Sequence, residues 1–197
     1  MNEMVYKIIF VVYALLLALV RLPQHLRYEK KERPRSKVSK SEKWTFPLAF
    51  IGMLIIPLIH VSTRWFEPFS MNLPDWARLC GPALGTIGLI YLWRVHIFLG
   101  QHWSPISELA HDHKLVAEGP YKYVRHPMYS AFSMIFLGSW LDLSNWLVAI
   151  AGLVSWYLFC RVRINMEEKM MLKEFGSEYE EYINRTGSLM PKPPIHI

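Results

Sequence analysis

Apolar residues fall into five blocks along the 197-residue chain, separated by polar segments. The blocks cover residues 4–20, 46–66, 79–99, 127–141 and 143–160. A helix rises 1.5 Å per residue, so most of these blocks approach or reach the roughly 30 Å of a bilayer's hydrocarbon core. The pattern predicts an all-α, polytopic integral membrane protein with five transmembrane helices.

The last two blocks predict a helical hairpin with its turn at residues 142–145, where Asp142 or Ser144 could be the N-cap of the second arm. The first arm has only fifteen residues, or about 22 Å of helix, which is too short for a full crossing. We therefore expect either that the junction of His126 and Pro127 lies below the lipid headgroups or that this arm tilts little and thins the bilayer, and in both cases the neighbouring polar residues are pressed against the membrane.

Two of the other blocks contain residues that alter a simple helix. Pro57 should kink the second helix. Gly81, Gly85 and Gly88 give the third helix a face that another helix can approach closely. The sequence leaves open whether this face pairs two copies of the chain or whether the protein is a monomer.

Charge predicts the orientation of these helices. The net charge is +6, and residues 21–43 contain nine basic and three acidic residues. Beside membrane helices, such a segment indicates a cytoplasmic loop in contact with anionic lipids, and we expect no nucleic-acid partner. The N-terminus is then outside, and five crossings place residues 21–43, residues 113–129 and the C-terminal tail together in the cytoplasm.

The polar segment 113–129 contains two histidines, three tyrosines and an arginine. Gly119 and Pro120 predict a turn, and Pro127 suits the first position of a helix. In the tail, Arg163 and Glu167 are four residues apart, which is the spacing of an ion pair on one helix face. Gly176 should end that helix, and Ser177 with Glu180 should begin the next as a capping box.

Common catalytic and cofactor motifs are not found in the sequence. It has no Walker or dinucleotide-binding glycine pattern, and no Ser-His-Asp order can be assigned. Cys80 and Cys160 lie in apolar blocks, and the cysteines and histidines lack metal-ligand spacing. We therefore predict no metal site.

The run Gly-Pro-Tyr-Lys-Tyr-Val-Arg-His-Pro-Met-Tyr at residues 119–129 follows His-Lys-Leu-Val at residues 113–116. Glu-Glu at 167–168 and Phe-Gly-Ser-Glu-Tyr at 175–179 come about forty residues later. This combination resembles the isoprenylcysteine carboxyl methyltransferase family over residues 113–191, and phospholipid methyltransferases share much of it. The chain length and the predicted layout of five helices are closest to compact prokaryotic members.

The resemblance implies an enzyme that methyl-esterifies the carboxylate of a lipophilic, prenylcysteine-like substrate with S-adenosylmethionine and releases S-adenosyl-homocysteine. It implies one membrane domain, with helices and the basic loop in residues 1–112 and a cofactor-binding catalytic region in 113–197. Arg163 is expected to meet the substrate carboxylate, with Arg125 as a second catalytic residue. The expected cofactor-binding residues are His113, Lys114, Leu115, Val116, Tyr121, His126, Pro127, Met128, Tyr129 and Glu167.

One departure from the family pattern concerns the substrate. Members often carry an arginine shortly before the final Leu-x-Pro, where this chain has Ser188, and Arg185 stands three residues earlier. A phospholipid N-methyltransferase is therefore the alternative, and its amine acceptor would need a base such as Glu168 or His126. A sterol-reductase-like enzyme with a nicotinamide cofactor and a polybasic membrane scaffold are further alternatives.

Overall fold

The structure is a computed structural model that describes residues 2–29, 40–99 and 115–193. These ranges are helical, connected by short turns and two isolated β-bridges. The α-helices are α1 (Glu3–Glu29), α2 (Lys40–Phe50), α3 (Ile56–Ser62), α4 (Asp75–Leu99), α5 (Pro127–Leu143), α6 (Trp146–Phe175) and α7 (Ser177–Arg185). A π-helical turn (Ile51–Ile55) joins α2 to α3, and short 3-10 turns cover Glu67–Phe69 and Gly119–Lys122.

Within the described ranges, four helical stretches are long and apolar enough to cross a membrane, namely Glu3–Leu26, Lys43–Ser62, Asp75–Leu99 and Trp146–Phe175. The protein is therefore an all-α, multi-pass membrane protein. The predicted fourth crossing corresponds to α5, which has 17 residues and is about 25 Å long.

Two helices extend further than the hydrophobic pattern predicted. The first block ended at residue 20, but α1 continues to Glu29 and includes Arg21. The fifth block ended at Cys160, but α6 continues to Phe175 and is about 45 Å long. Its polar part contains no proline and no glycine, so nothing ends the helix where the apolar residues end. Arg163 and Glu167 therefore lie on the same helix as the last apolar block.

The capping predictions for α6 and α7 were wrong. Ser144 has a left-handed φ of 49° and ends α5, and Asn145 is the N-cap of α6, its side chain accepting a hydrogen bond of 3.2 Å from the amide of Val148. Gly176, with φ 51° and ψ −124°, ends α6 as predicted and is also the N-cap of α7. Ser177 is therefore the first residue of α7, where it cannot form the predicted capping box.

Pro57 is buried in the second crossing, and the distortion of that helix lies in the π-helical turn directly before it. Pro57 has no N–H, so one carbonyl in the preceding turn loses its donor. The extra residue of the π-helical turn redirects the carbonyls there. Gly52 in this turn lies against α6, where a Cβ would overlap the Ser155 hydroxyl. The second crossing is therefore packed closely on the helix that carries Arg163.

The glycine face of α4 packs against α5 of the same chain. A Cβ at Gly81 would overlap the carbonyl oxygen of Gly138, and one at Gly88 would lie 2.9 Å from the carbonyl oxygen of Ala131. The predicted close approach is confirmed, and its partner is α5. This contact occupies the face that the sequence left available for pairing two copies.

Replacing Gly81 with leucine should destabilise the protein, because the side chain cannot fit between the two helix backbones. We expect a loss of about 3 kcal/mol in the free energy of unfolding, measured by thermal unfolding in maltoside micelles. Ala83→Leu adds a larger side chain at an exposed position of the same helix and should leave the midpoint nearly unchanged. Equal midpoints for the two variants would contradict this packing.

Polar contacts fix the N-terminal half of α1 to α4, and one residue of α4 continues them to α5. The Tyr6 hydroxyl donates to Asp75 at 2.9 Å, and the Tyr13 hydroxyl donates to the Pro82 carbonyl at 2.7 Å. The buried guanidinium of Arg78 donates to the Asp142 carbonyl at 2.8 and 3.0 Å and pairs with Glu3. These contacts set the position of the C-terminal half of α1, which borders the site described next.

Candidate active site

The loop before α5 is shaped by one glycine and one proline. Gly119 has a φ of +55°, and its missing Cβ makes room for the ring of Phe98 at the end of α4. His126 is the residue before α5 and Pro127 is the first residue of the helix, as predicted. Proline costs no hydrogen bond there, because the first helical amides have no partner within the helix. The loop therefore presents His126 at the start of α5.

The C-terminal segment pairs with this loop through an isolated parallel β-bridge between Val124 and Gly187. The amide of Arg125 donates to the Gly187 carbonyl at 2.8 Å, and the amide of His126 donates to the Ser188 carbonyl at 3.0 Å. In the other direction the Gly187 amide donates to the Tyr123 carbonyl at 3.2 Å. These hydrogen bonds hold Gly187 and Ser188 against the residues that precede α5.

Tyr129, Arg163 and Glu167 form a buried hydrogen-bonded triad. The Tyr129 hydroxyl donates to Glu167 Oε1 at 2.6 Å and accepts from Arg163 Nε at 3.2 Å. Arg163 Nη2 lies 2.8 Å from the same Glu167 oxygen. The predicted ion pair is confirmed. Because the Arg163 side chain is only 6% exposed, this pair is screened far less by solvent than the surface pair that the spacing alone suggests.

Glu168, the next residue on α6, makes a second set of contacts. Its Oε1 lies 2.9 Å from Arg125 Nε and 3.2 Å from His126 Nε2. Arg125 Nη1 also donates to the Thr186 carbonyl at 2.6 Å. His126 Nδ1 lies 3.5 Å from Glu167 Oε2, so His126 joins the two glutamates. We call Arg125, His126, Tyr129, Arg163, Glu167 and Glu168 the charged cluster.

The charged cluster changes the titration of His126. Burial alone would lower the pKa of His126, but the hydrogen bonds and charges of Glu167 and Glu168 outweigh burial and raise that pKa above its usual value. Protonated His126 donates from both ring nitrogens and carries a charge opposite to that of its two neighbours. The cluster therefore favours the imidazolium.

The stability of the protein should depend on pH through His126. Because the pKa of His126 is raised in the folded state, His126 contributes fully to the free energy of unfolding below its unfolded-state pKa of about 6.5. This contribution is lost as pH rises through the folded-state pKa. We expect the unfolding midpoint of the wild type to exceed that of His126→Gln at pH 6, and the difference to shrink toward pH 9. A difference that is constant or grows over this range would contradict the raised pKa.

A cavity of about 390 Å³ borders the charged cluster. Its walls come from α1, α2, α5, α6 and the π-helical turn, and most of them are aliphatic or aromatic. Arg21 and Arg163 are the charged residues among those that line it, and Tyr13, Tyr129 and Ser139 add hydroxyl groups. Arg163 and Tyr129 thus belong both to the charged cluster and to the wall of an apolar cavity.

The structure brings together several of the predicted site residues. His126, Tyr129, Arg163 and Glu167 meet in the charged cluster, and Met128 lines the cavity.

The other predicted residues lie around this centre. The Tyr121 carbonyl accepts a hydrogen bond of 2.6 Å from the hydroxyl of Tyr182, which ties the loop to α7. Leu115 and Val116 are half-buried just before the loop, while His113 and Lys114 lie outside the described residues. Arg185 is exposed, with its guanidinium 5.7 Å from the Tyr182 ring centroid.

Arg21 is the cavity residue that sequence reasoning missed. We assigned it to the basic loop because it follows the first apolar block. A signal was present, since Phe10, Ala14, Leu17 and Arg21 are spaced by four, three and four residues and share one helix face. All four line the cavity.

Comparison with known proteins identifies the family. The model of the isoprenylcysteine carboxyl methyltransferase family matches residues 83–173. Protein-S-isoprenylcysteine O-methyltransferase B of Arabidopsis thaliana is 31% identical over 158 residues, which are 79% of this chain and 80% of that protein. The chain belongs to the isoprenylcysteine carboxyl methyltransferase family. The predicted resemblance is confirmed, and family membership makes the protein a methyltransferase rather than a reductase or a scaffold.

Two further comparisons are consistent with this family assignment. The protein-S-isoprenylcysteine O-methyltransferase of Schizosaccharomyces pombe is 39% identical over 98 residues, which are 48% of this chain and 41% of that protein. A solved structure of the eukaryotic intramembrane Ras methyltransferase has a TM-score of 0.61 with 23% identity, over 94% of this chain and 67% of that chain. This likeness supports the helical fold.

Proposed function

We propose that this methyltransferase esterifies the carboxylate of a prenylated cysteine, with S-adenosylmethionine as the methyl donor. The observation that carries the proposal is the position of Arg163, whose guanidinium lies where an apolar cavity meets the charged cluster. An acceptor with a hydrocarbon chain and an anionic head matches that combination of surfaces.

The cavity suits the hydrocarbon part of the acceptor. Burial of apolar surface stabilises such a ligand by roughly 25 cal/mol per Å², and aromatic side chains such as Phe132, Trp156 and Phe159 form much of the wall. The walls are built from helices of the membrane-spanning bundle. The acceptor therefore enters from the surrounding lipid rather than from water.

The residues near His126 suit S-adenosylmethionine. The carboxylate of Glu167 can accept hydrogen bonds from an ammonium or from ribose hydroxyls. Tyrosine rings offer a face to adenine or to a sulfonium. The proposed binding residues are Leu115, Val116, Tyr121, His126, Pro127, Met128, Tyr129 and Glu167, with His113 and Lys114 from outside the described residues. When bound, the cofactor supplies an electrophilic methyl group on sulfur.

Arg163 would orient the acceptor for reaction. A carboxylate is ionised at neutral pH, so its oxygen attacks without a general base. Catalysis then depends on holding that oxygen in line with the methyl group, and a guanidinium can bind a carboxylate in a fixed geometry. Tyr129 and Glu167 keep the guanidinium in place. Water exclusion by the apolar walls strengthens the attraction between the anion and the sulfonium.

Arg125 has a different part in this proposal. Its guanidinium contacts Glu168 and the Thr186 carbonyl, and it is not among the residues that line the cavity. We therefore assign it a positioning role, in which it holds the tail and Glu168 beside His126.

For the membrane arrangement, we propose that α5 also crosses the membrane, as the fourth of five transmembrane helices in chain order, and that its short length draws His126 toward the hydrocarbon core. The basic residues after Arg21 favour the cytoplasm for this end of the bundle. The charged cluster would then meet soluble cofactor on the cytoplasmic side, with the N-terminus outside.

Product chemistry tests the proposal. Purified protein in maltoside micelles is given methyl-labelled S-adenosylmethionine with N-acetyl-S-farnesylcysteine or with phosphatidylethanolamine. We expect label in the farnesylcysteine that mild base releases as methanol, which is the behaviour of a methyl ester. Label that resists base and appears only in phosphatidylethanolamine would instead establish an N-methyltransferase, with Glu168 or His126 as its base.

A further inference from the structure

Arg21 on α1 extends into the same cavity as Arg163 on α6. Its guanidinium carbon lies 5.2 Å from the centroid of the Phe132 ring. Its Nε is buried and has no hydrogen-bond partner among the residues that the structure describes. The cavity therefore contains a positively charged guanidinium. Its contact with the Phe132 ring is favourable, but its Nε–H donor has no acceptor in the part of the chain that the structure describes.

A buried guanidinium donor without a partner is costly, because the ring face attracts the charge but accepts no strong hydrogen bond. Arg163 increases this cost, since it brings a second positive charge to the same cavity. Glu167 does not compensate Arg21 directly. Its Oε1 already accepts from Tyr129 and pairs with Arg163. An anion inside the cavity would compensate Arg21 and Arg163 together.

We infer that Arg21 binds the carboxylate of the acceptor together with Arg163, and that it selects ionised acceptors over neutral ones. This inference rests on the proposed function and extends it to a residue of the first helix. Arginine suits the role because its planar fork can bind both oxygens of a carboxylate. The apolar walls beyond Arg21 leave the hydrocarbon chain in the remaining cavity, and the two arginines fix the end that reacts.

The test compares binding of two probes that differ in one group, N-acetyl-S-farnesylcysteine and its neutral carboxamide. Binding is measured without turnover, in maltoside micelles, which carry no anionic group. We expect the wild type to prefer the carboxylate by about 10- to 100-fold, which is the range for a charge-assisted hydrogen bond. Arg21→Gln should reduce this preference by about tenfold, and Arg21→Lys should reduce it less, because it keeps the charge but loses the planar fork.

Two controls separate recognition from folding. S-adenosyl-homocysteine should bind Arg21→Gln within about twofold of the wild type if the bundle is intact, and Arg21→Lys replaces that variant if it is not. Arg161→Gln makes the same change of charge at an exposed position of α6 and should keep the full preference.

The outcomes distinguish this inference from the proposed function. An unchanged preference in Arg21→Gln, with the wild type methylating farnesylcysteine, overturns the role of Arg21 alone. A wild type that neither binds nor methylates farnesylcysteine overturns the proposed function and this inference with it. If phosphatidylglycerol displaces the carboxylate probe from the wild type but not from Arg21→Gln, the anion is a lipid phosphate, which also overturns the assignment.

Discussion

Replacing Glu167 with glutamine should weaken S-adenosyl-homocysteine binding by about 100-fold, which corresponds to about 2.7 kcal/mol. The substitution keeps the size of the side chain but removes the charge that Arg163 and His126 face at 2.8 and 3.5 Å. It also removes the carboxylate that accepts from the Tyr129 hydroxyl. Arg163 would then lose its ion-pair partner and His126 one of its two carboxylates, and titration calorimetry in detergent measures the loss of binding.

Glu174→Gln is the matched control for this prediction, since Glu174 is an exposed residue on the same helix. It makes the same change of charge and should bind S-adenosyl-homocysteine like the wild type. The affinity of Glu167→Asp for S-adenosyl-homocysteine should lie between those of Glu167→Gln and the wild type, because aspartate keeps the charge but has a shorter side chain. Wild-type affinity in a folded Glu167→Gln variant would remove Glu167 from the cofactor site and require another acceptor for the polar end of the cofactor.

Much of the helical bundle could be predicted from hydrophobicity, and the errors have a common physical cause. The apolar blocks located the crossings, but α1 and α6 continue beyond them, because a helix ends at a breaker or a cap and not where hydrophobicity ends. Gly176 is such an end and was found. Arg21 was therefore assigned to a loop, and Arg163 to a helical tail separate from the last apolar block.

The candidate site was predictable in its residues more than in its geometry. The motif resemblance selected His126, Tyr129, Arg163 and Glu167, and the structure brings all four together. No local pattern predicts that the tail pairs with the residues before α5, since Gly187 carries no signal for a strand and the contact spans about sixty residues. Long-range pairing of this kind depends on the packed fold rather than on local propensity.

Replacing Arg163 with glutamine should lower kcat/KM for a farnesylcysteine acceptor by about 100-fold or more, while S-adenosyl-homocysteine affinity falls by less than tenfold. The unequal effects follow from the position of Arg163, because its side chain lines the acceptor cavity whereas Glu167 is not among the residues that line it. Loss of a positioned cation next to a reacting anion has effects of this size. Glu167 keeps His126 and Tyr129 as partners in the variant, which preserves much of its orientation.

Single-turnover methyl transfer at saturating cofactor measures this loss, and Arg161→Gln, two positions away on the same helix, is the matched control with the same change of charge. Arg163→Lys should recover only part of the rate, because an ammonium cannot hold both the acceptor and Tyr129 in a planar arrangement. If kcat/KM for the acceptor and the affinity for S-adenosyl-homocysteine fell by the same factor, Arg163 would act through the cofactor site alone. The apolar cavity would then have to orient the acceptor through Arg21, and the pair of arginines would have separate tasks rather than a shared one.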